Sequence, residues 1–460
     1  MKAHKNWSYR PYRSWFSEIG DIYICRVVPK KTSIYFEWIE NPQNCEIYYK
    51  EREDGEFILA GVTDKGCFEI SDLKPNAEYE FYVQADGKKS HVRLARVGEC
   101  IGTVINYLHP EDTAYEHSGR FLATPSLVRH PEGHLLASMD VFGKNYPQNL
   151  TLIFRSDDNG KTWYYLNELF PCFWGKLFVH KNDLYMIAES TEYGDLLIGK
   201  STDGGMTFGE PTVLLRGSNG KHGEAGVQKP PMPIVEHDGR LWTTFEWGSW
   251  GKGYHAAAVM SVSADSDLLD ADNWSFSEPI KYNPKWEGLP QGESSGAIEG
   301  NIVAYGGELH SILRYDMRKL ERKYGLVMDY KINTENVEAP LSYGGVIELP
   351  CNHSKFEIHY DTVSGEYIAI GSRIIDPQKA GARNLVSLFA SEDCVNWRVV
   401  CDVIDKRNSN HRKIGFQYMS MLFDGDDIIF QCRTSMNGAD THHNTNYSTF
   451  HRIYNFRNLL

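Results

Sequence analysis

The sequence predicts an all-β protein: a small β-sandwich followed by a six-bladed β-propeller. Three observations carry this. Short apolar strands punctuated by Gly, Asn and Asp run along the 460 residues. A Trp/Tyr pattern suited to a seven-stranded sandwich falls in the first hundred. One strand–turn–strand unit then recurs to the C-terminus. The 40 Gly, 27 Tyr, 21 Phe and 11 Trp fit turn-rich sheets, and a net charge of −13 argues against a nucleic-acid partner, which would need a basic face. No apolar run is long enough to span a bilayer. Met1–Trp7 shows no apolar leader core. The nine Cys are odd in number and scattered, with no Cys-x-x-Cys pair, so neither a disulfide framework nor a metal is expected, and a reducing, cytoplasmic compartment is the simplest expectation.

The expected divisions are an N-terminal segment at 1–19, a sandwich at 20–98 and a propeller at 99–460. In the sandwich, Ile34-Tyr35-Phe36-Glu37-Trp38 and Cys45-Glu46-Ile47-Tyr48-Tyr49 alternate with period two. Leu73-Lys74-Pro75 leads into Tyr79-Glu80-Phe81-Tyr82-Val83, the corner before a penultimate sandwich strand. On Trp38, Leu73, Pro75 and Tyr79 this segment resembles a fibronectin type III domain.

In the propeller, turns at Glu132-Gly133, Lys181-Asn182, Asp238-Gly239, Gly306-Gly307, Ser364-Gly365 and Asp424-Gly425 each precede an apolar strand. The unit repeats about every 60 residues, which with antiparallel strands means one sheet per blade. Ser156-Asp157-Asp158-Asn159-Gly160-Lys161-Thr162-Trp163 fits a Ser-x-Asp-x-Gly-x-Thr-Trp turn in full. Ser201–Phe208 fits with Phe for Trp; Ser391–Trp397 and Ser263–Trp274 are degenerate copies. Their logic is structural: Asp caps turn amides, Gly takes an unusual φ, and the aromatic packs between sheets.

The chemistry is expected where the second strand of each hairpin ends, at one face of the ring. Those positions hold Asp140, Glu189, Glu246, Arg314, Arg373 and Arg433: acids from the first three blades, arginines from the last three. Such a pocket has a side suited to a carboxylate and a side suited to proton transfer. The starts of the first strands add Lys229, Glu299, His353 and Tyr418, and folding at Gly306-Gly307 places Glu299 beside Arg314. Trp174, Trp247, Trp250 and Tyr254 follow strand ends and suit sugar subsites or inter-blade packing. His353, His442 and His443, with His255, His310 and His451, are read first as satisfied structural histidines, then as proton-transfer groups, and last as metal ligands, for which no His-x-x-x-His spacing among them argues.

The turn boxes resemble the Asp-boxes of the sialidase superfamily, and the resemblance extends to the site. Glu299 followed by Arg314, Arg383 ahead of the late Ser391 box, and Tyr418 opening the last blade are similar to that family's Glu, arginines and Tyr. It implies that Tyr418 is the nucleophile, that Glu299 takes its proton, and that Arg314 and Arg383, with Arg373 or Arg433, bind the sugar carboxylate. Two positions depart: Ala123 stands where the family has an arginine, and the loop Gly143–Asn149 lacks the general acid, leaving Asp140 or Glu246 for that role. The expectation is an exo-acting glycoside hydrolase that releases a terminal acidic sugar, sialic or uronic, from a glycan, without cofactor. Lys229, Trp174 and His443 join the substrate-binding set. A polysaccharide lyase acting beside a uronate through His353 or Tyr418, as in the similar ulvan lyases, and a non-catalytic glycan-binding propeller remain the alternatives. Self-association into a homo-oligomer stays open.

Overall fold

The computed structural model describes residues 22–39, 43–218 and 223–460; the expected segment 1–19 lies outside the described residues. The first unit is two facing sheets. Tyr23–Pro29, Ile34–Ile39 and Cys67–Ile70 form one; Ile58–Thr63, Cys45–Glu51, Glu78–Ala85 and Lys88–Lys89, with Arg93–Arg96 alongside, form the other. Strand Ile34–Ile39 alternates buried and half-buried residues, so Ile34, Phe36 and Trp38 face inward with Ile47, Leu73, Tyr79 and Phe81. The Tyr79 hydroxyl accepts the Lys74 amide at 2.9 Å, tying the corner back on itself.

Among the described residues, six antiparallel sheets of four or five strands then follow in chain order. Sheet 1 runs Phe121–Arg129, Leu135–Phe142, Leu150–Ser156, Tyr164–Leu169 from the inside outward. The innermost strands of sheets 2 to 6 are Phe173–His180, Gly226–Gln228, Ala297–Tyr305, Glu357–Asp361 and Gly415–Asp424. Each pairs with the strand after its turn: Asp183–Glu189, Arg240–Ser249, Glu308–Tyr315, Glu366–Ser372 and Asp427–Ser435. The outermost strand of sheet 6 is Thr103–Tyr107, from the start of this region, so the first strand closes the last sheet.

The sheets close into the ring of a β-propeller, and six hydrogen bonds run around it. An amide in, or directly after, each innermost strand donates to a side chain of the preceding sheet: Leu127 to Ser420 Oγ (3.1 Å), Leu177 to Ser126 Oγ (2.9 Å), Lys229 to Glu189 Oε1, Glu299 to Glu246 Oε1 (2.9 Å), Ile358 to Asn301 Oδ1 (2.9 Å) and Met421 to Glu357 Oε2 (2.7 Å). Amides facing a neighbouring sheet have no strand partner there, and burying them unpaired would cost about 1–3 kcal/mol each.

The Ser-x-Asp turns are built as their chemistry requires. Asp158 accepts Ser156 Oγ, the Thr162 amide and Thr162 Oγ1 at 2.9, 2.8 and 2.6 Å. Gly160 sits at φ +88°, and a Cβ there would fall 2.2 Å from the Phe450 ring. Trp163 Nε1 donates to Gly160 O (3.2 Å) while its ring packs on Phe450. Asp203 and Asp393 cap their turns in the same way. The fourth copy differs: the exposed Asp265 pairs with Lys181 (2.6 Å), and a 3₁₀ turn at Ala271–Asn273 intervenes before Trp274.

The two units share buried structure. Tyr107 and Tyr447 belong to the core of the first unit, and Tyr23 and Cys25 to that of sheet 1. Arg93 Nε donates to Asp112 Oδ2 (2.7 Å) and its Nη1 to Ile24 O (2.6 Å), with both charges buried. Asp112 also accepts the amides of Leu94 and Ala114. Asp112→Ala strands the Arg93 charge and removes these caps. A loss of about 3–5 kcal/mol is expected, read as a lower urea midpoint; a midpoint within error of the parent would show that this pair does not hold the units together.

Candidate functional site

The inner strands of sheets 1, 2, 4 and 6 break register at one shared place. The breaks fall between Ala123 and Ser126, Phe173 and Lys176, Ile298 and Asn301, and Gln417 and Ser420. In each bulge one residue adopts left-handed backbone: Thr124 (φ 50°), Trp174 (φ 55°), Glu299 (φ 61°) and Tyr418 (φ 58°). Such a conformation costs a non-glycine residue about 1–3 kcal/mol and persists where its surroundings enforce it. All four residues line one cavity of about 490 Å³.

Within it, the Tyr418 hydroxyl donates to Glu299 Oε1 in a short hydrogen bond. Arg314 Nη1 donates to both Glu299 oxygens (2.9 and 2.8 Å) and to Tyr418 Oη (3.1 Å). Burial and Glu299 push the Tyr418 hydroxyl up to about 12, against the pull of Arg314, Arg383 and Arg433. Burial opposes the Arg314 charge, but Glu299 and Tyr418 outweigh it and hold the guanidinium firmly protonated.

Two further guanidiniums face this pair. Arg433 donates from Nε to Thr445 Oγ1 (3.1 Å) and from Nη2 to His443 O, and lies 5.3 Å from the Tyr418 ring centre. Arg383 is 6% exposed, and neither its Nε nor its Nη1 has a hydrogen-bond partner. Burial and Arg314 bring Arg383 down to about 9, and burial brings Arg433 to about 10; both remain cations at neutral pH. Lys144 and Arg318 add positive charge to the lining, and Glu192 a carboxylate that accepts Gln148 Nε2 at 2.6 Å. A chain of net charge −13 thus holds a cavity with excess positive charge. His353 and His443 also line it. Burial, with Arg314 and Arg383, takes His353 to about 3; burial, with Arg433 and Arg383, holds His443 well below the usual range. Both rings are neutral near pH 7.

The structure therefore brings together Tyr418, Glu299, Arg314, Arg383, Arg433, His353, His443 and Trp174. It does not bring Asp140, Glu246, Lys229 or Arg373 to the cavity lining. The acids at strand ends are too short to reach inward past the bulge of the next sheet. Instead each accepts an amide of the next sheet: Asp140 the Trp174 amide (2.7 Å) and Glu246 the Glu299 amide, both in bulges, and Glu189 the Lys229 amide. Burial pushes Asp140 up to about 7 and Glu246 well above the carboxylate range. Lys229 is fully buried, donates to Pro230 O (2.8 Å), and is lowered to about 7 by burial. Arg373 turns outward to Asp402 (3.0 Å).

Sequence reasoning missed Glu192, Lys144 and Arg318. Glu192 and Arg318 lie three or four residues beyond the strand ends that were read, on the loops leaving the same face, which is the signal that would have found them. Ala123 lines the cavity where the family resemblance expects arginine. The loop Gly143–Asn149 carries no acid, but its Gln148 holds Glu192 in place. The one convergent metal-type group among the described residues is His130, Glu132 and His134, outside the cavity lining. The two rings stack 4.4 Å apart at 16°, and His130 Nδ1 accepts the Glu132 amide (3.2 Å).

No protein-family model and no curated protein sequence matches this chain. Its architecture does have solved counterparts. It is similar to a Penicillium chrysogenum α-L-arabinanase complexed with arabinobiose (15% identity, 78% of this chain and 99% of that chain, TM-score 0.51). It is similar to the Hadza microbial sialidase Hz136 (12%, 95% and 96%, TM-score 0.50). It is also similar to a leech intramolecular trans-sialidase complexed with 2,7-anhydro-Neu5Ac (10%, 95% and 92%, TM-score 0.51). At these identities the likeness establishes the fold: a sialidase-like β-propeller.

Proposed function

We propose that this chain is an exo-acting glycoside hydrolase that releases a terminal sugar bearing a carboxylate. The observation that carries the reading is Arg383. A buried guanidinium with unpartnered Nε and Nη1, facing Arg314 and Arg433 across a cavity, is a charge that an anionic ligand would complete. In the same reading the six sheets are six blades, the unit at 20–98 is fibronectin type III-like, and the Ser-x-Asp turns are Asp-boxes.

The chemistry follows from the pair beside the arginines. An anionic sugar repels a carboxylate nucleophile, whereas a tyrosine is neutral until it reacts. Tyr418 Oη attacks the anomeric carbon as its proton passes to Glu299. Glu192, on the cavity lining, gives a proton to the leaving oxygen and then takes one from the water that releases the sugar. Arg314 steadies the charge that Glu299 and Tyr418 exchange. A second reading has one specific support: His353 is neutral, and its Nδ1 has no partner. A neutral imidazole suits proton abstraction in β-elimination beside a uronate. That reaction leaves a conjugated double bond with ultraviolet absorbance; hydrolysis does not.

Turnover of methylumbelliferyl sialoside and glucuronide tests the assignment. Tyr418→Phe should lower kcat about 10³-fold or more with the melting curve retained; near-parental turnover would remove Tyr418 from the mechanism. Glu192→Gln should slow a sugar leaving group far more than an activated aryl one, since only the former needs the proton; equal losses on both would exclude it as the acid. Arg383→Met should have opposite effects on two readouts. It relieves an unpaired buried charge, so the ligand-free protein should gain about 1 kcal/mol or more of stability. It should also lose the thermal protection that millimolar sialic or glucuronic acid gives the parent. A variant that is destabilised yet still protected would overturn the carboxylate reading.

A further inference from the structure

At the end of the sheet 1 hairpin far from the cavity, the chain reads His130-Pro131-Glu132-Gly133-His134, the one His-x-x-x-His spacing in the sequence. The inner two strands pair as far as Arg129 and Leu135. The turn closes with the His130 amide on His134 O (2.9 Å) and the Gly133 amide on His130 O (2.8 Å), and Gly133 takes φ +99°. A three-residue loop of this kind sets its two flanking residues opposite each other, so the histidine rings meet and stack. Both histidines are buried.

Their hydrogen bonds fix which nitrogen carries the lone pair. His134 Nε2 lies 3.3 Å from Gly204 O, a carbonyl that can only accept, so the proton is on Nε2 and the lone pair on Nδ1. His130 Nδ1 accepts the Glu132 amide, so its lone pair is on Nδ1 as well. Glu132 Oε2 lies 3.7 Å from His130 Nδ1 and 3.9 Å from His134 Nδ1. One donor atom from each residue is within 4.8 Å of the other two. Donors held by one tetrahedral metal at about 2.1 Å stand about 3.4 Å apart, so small side-chain shifts bring these three onto an ion. The Glu132 amide, at 3.2 Å, is a weak rival for the His130 lone pair.

The surrounding charge suits a cation. Arg129 donates to Gly133 O (2.8 Å), and Arg155 shares the space beside Gly204 with His134. Each has its own carboxylate: Arg129 with Asp424 (2.7 Å) and Arg155 with Asp157 (2.8 Å). Among the described residues, Glu132 has ion-pair contacts only to the two histidines. Two imidazole nitrogens and one carboxylate oxygen suit zinc and its neighbours, whereas calcium and magnesium take oxygen donors.

We infer that His130, Glu132 and His134 form a binding site for a divalent transition metal of the zinc class. His134 has the arrangement that orients metal-binding histidines, with one nitrogen free and the other N–H held by a carbonyl. That carbonyl belongs to the Ser-x-Asp turn of sheet 2, so the ion fastens the sheet 1 hairpin to its neighbour. Ala123, on the cavity lining, lies seven residues back along the strand, about 20 Å at the rise of a β-strand. The ion is therefore structural, and the site is independent of the function proposed above.

The test uses full-length, tag-free protein treated with EDTA, desalted and titrated with ZnCl₂ by calorimetry at pH 7. One site with a Kd of about 100 µM or tighter is expected, and Mg²⁺ should not compete. Glu132→Gln removes a ligand from an exposed position and should weaken zinc binding about tenfold or more, as should His134→Asn. His237→Ala, which alters a histidine on sheet 3, should leave the affinity unchanged. Zinc at a hundredfold excess over Kd should raise the melting temperature by about 2 °C or more in the parent and not in Glu132→Gln. The inference is overturned if the parent shows no saturable zinc binding within that limit, or if Glu132→Gln binds as tightly as the parent, which would mean adventitious binding to scattered histidines. Should His134→Asn fail to fold, Glu132→Gln decides by itself.

Discussion

The constraint on which this protein depends is the hydrogen bond that each inner strand sends back to the sheet before it. Inner strands pack side by side around a channel, so amides pointing at a neighbour have no ladder partner. A side chain from the preceding sheet supplies one at every junction, from Ser420 to Leu127 round to Glu357 and Met421. At three junctions a carboxylate at a strand end also accepts the amide next to a paired position of the following inner strand. Asp140 holds Trp174, Glu189 holds Lys229, and Glu246 holds Glu299. These carboxylate bonds hold the backbone whose left-handed turn places Trp174 and Glu299 on the cavity lining. Glu246, by accepting the Glu299 amide, sets where Glu299 stands.

The electrostatics build on that scaffold. Arg314 is buried because Glu299 and Tyr418 share it, and Glu299 lies in place because its own amide is held. Arg383 and Arg433 are then left facing a space with more positive than negative charge. Both are buried, so a guanidinium without a partner carries a desolvation penalty that a carboxylate ligand would offset in bidentate fashion. The same burial keeps His353 and His443 neutral, so they add hydrogen-bonding capacity without adding to the cationic field.

Much of this was legible along the chain, and the reason is local chemistry. The turns at Gly133, Asn182, Gly239, Gly306-Gly307, Gly365 and Gly425 mark hairpins because their residues tolerate positive φ. Asp158, Asp203 and Asp393 cap turns within a few residues of themselves, so their role needs no distant partner. Glu299 and Arg314 are two ends of one hairpin, and the fold at the turn between them places them together. The fourth Ser-x-Asp copy failed where the local pattern weakened: Asp265 found Lys181 on another sheet before it found its own turn.

The sequence by itself determined the repeat, the hairpins, the capped turns and the pairing of Glu299 with Arg314, because each depends on residues close together in the chain. The tertiary structure decided which polar strand ends serve the site. Asp140, Glu246, Arg314, Arg373 and Arg433 occupy equivalent positions after equivalent turns, and nothing in the chain order separates them. The separation comes from reach and from what the neighbouring sheet offers. A short carboxylate meets the next bulge amide and stops there, Arg373 meets Asp402, and the long side chains of Arg314 and Arg433 pass inward to Tyr418. Glu192 and Arg318 arrive on loops from two different sheets, and only closure of the ring places them on one cavity.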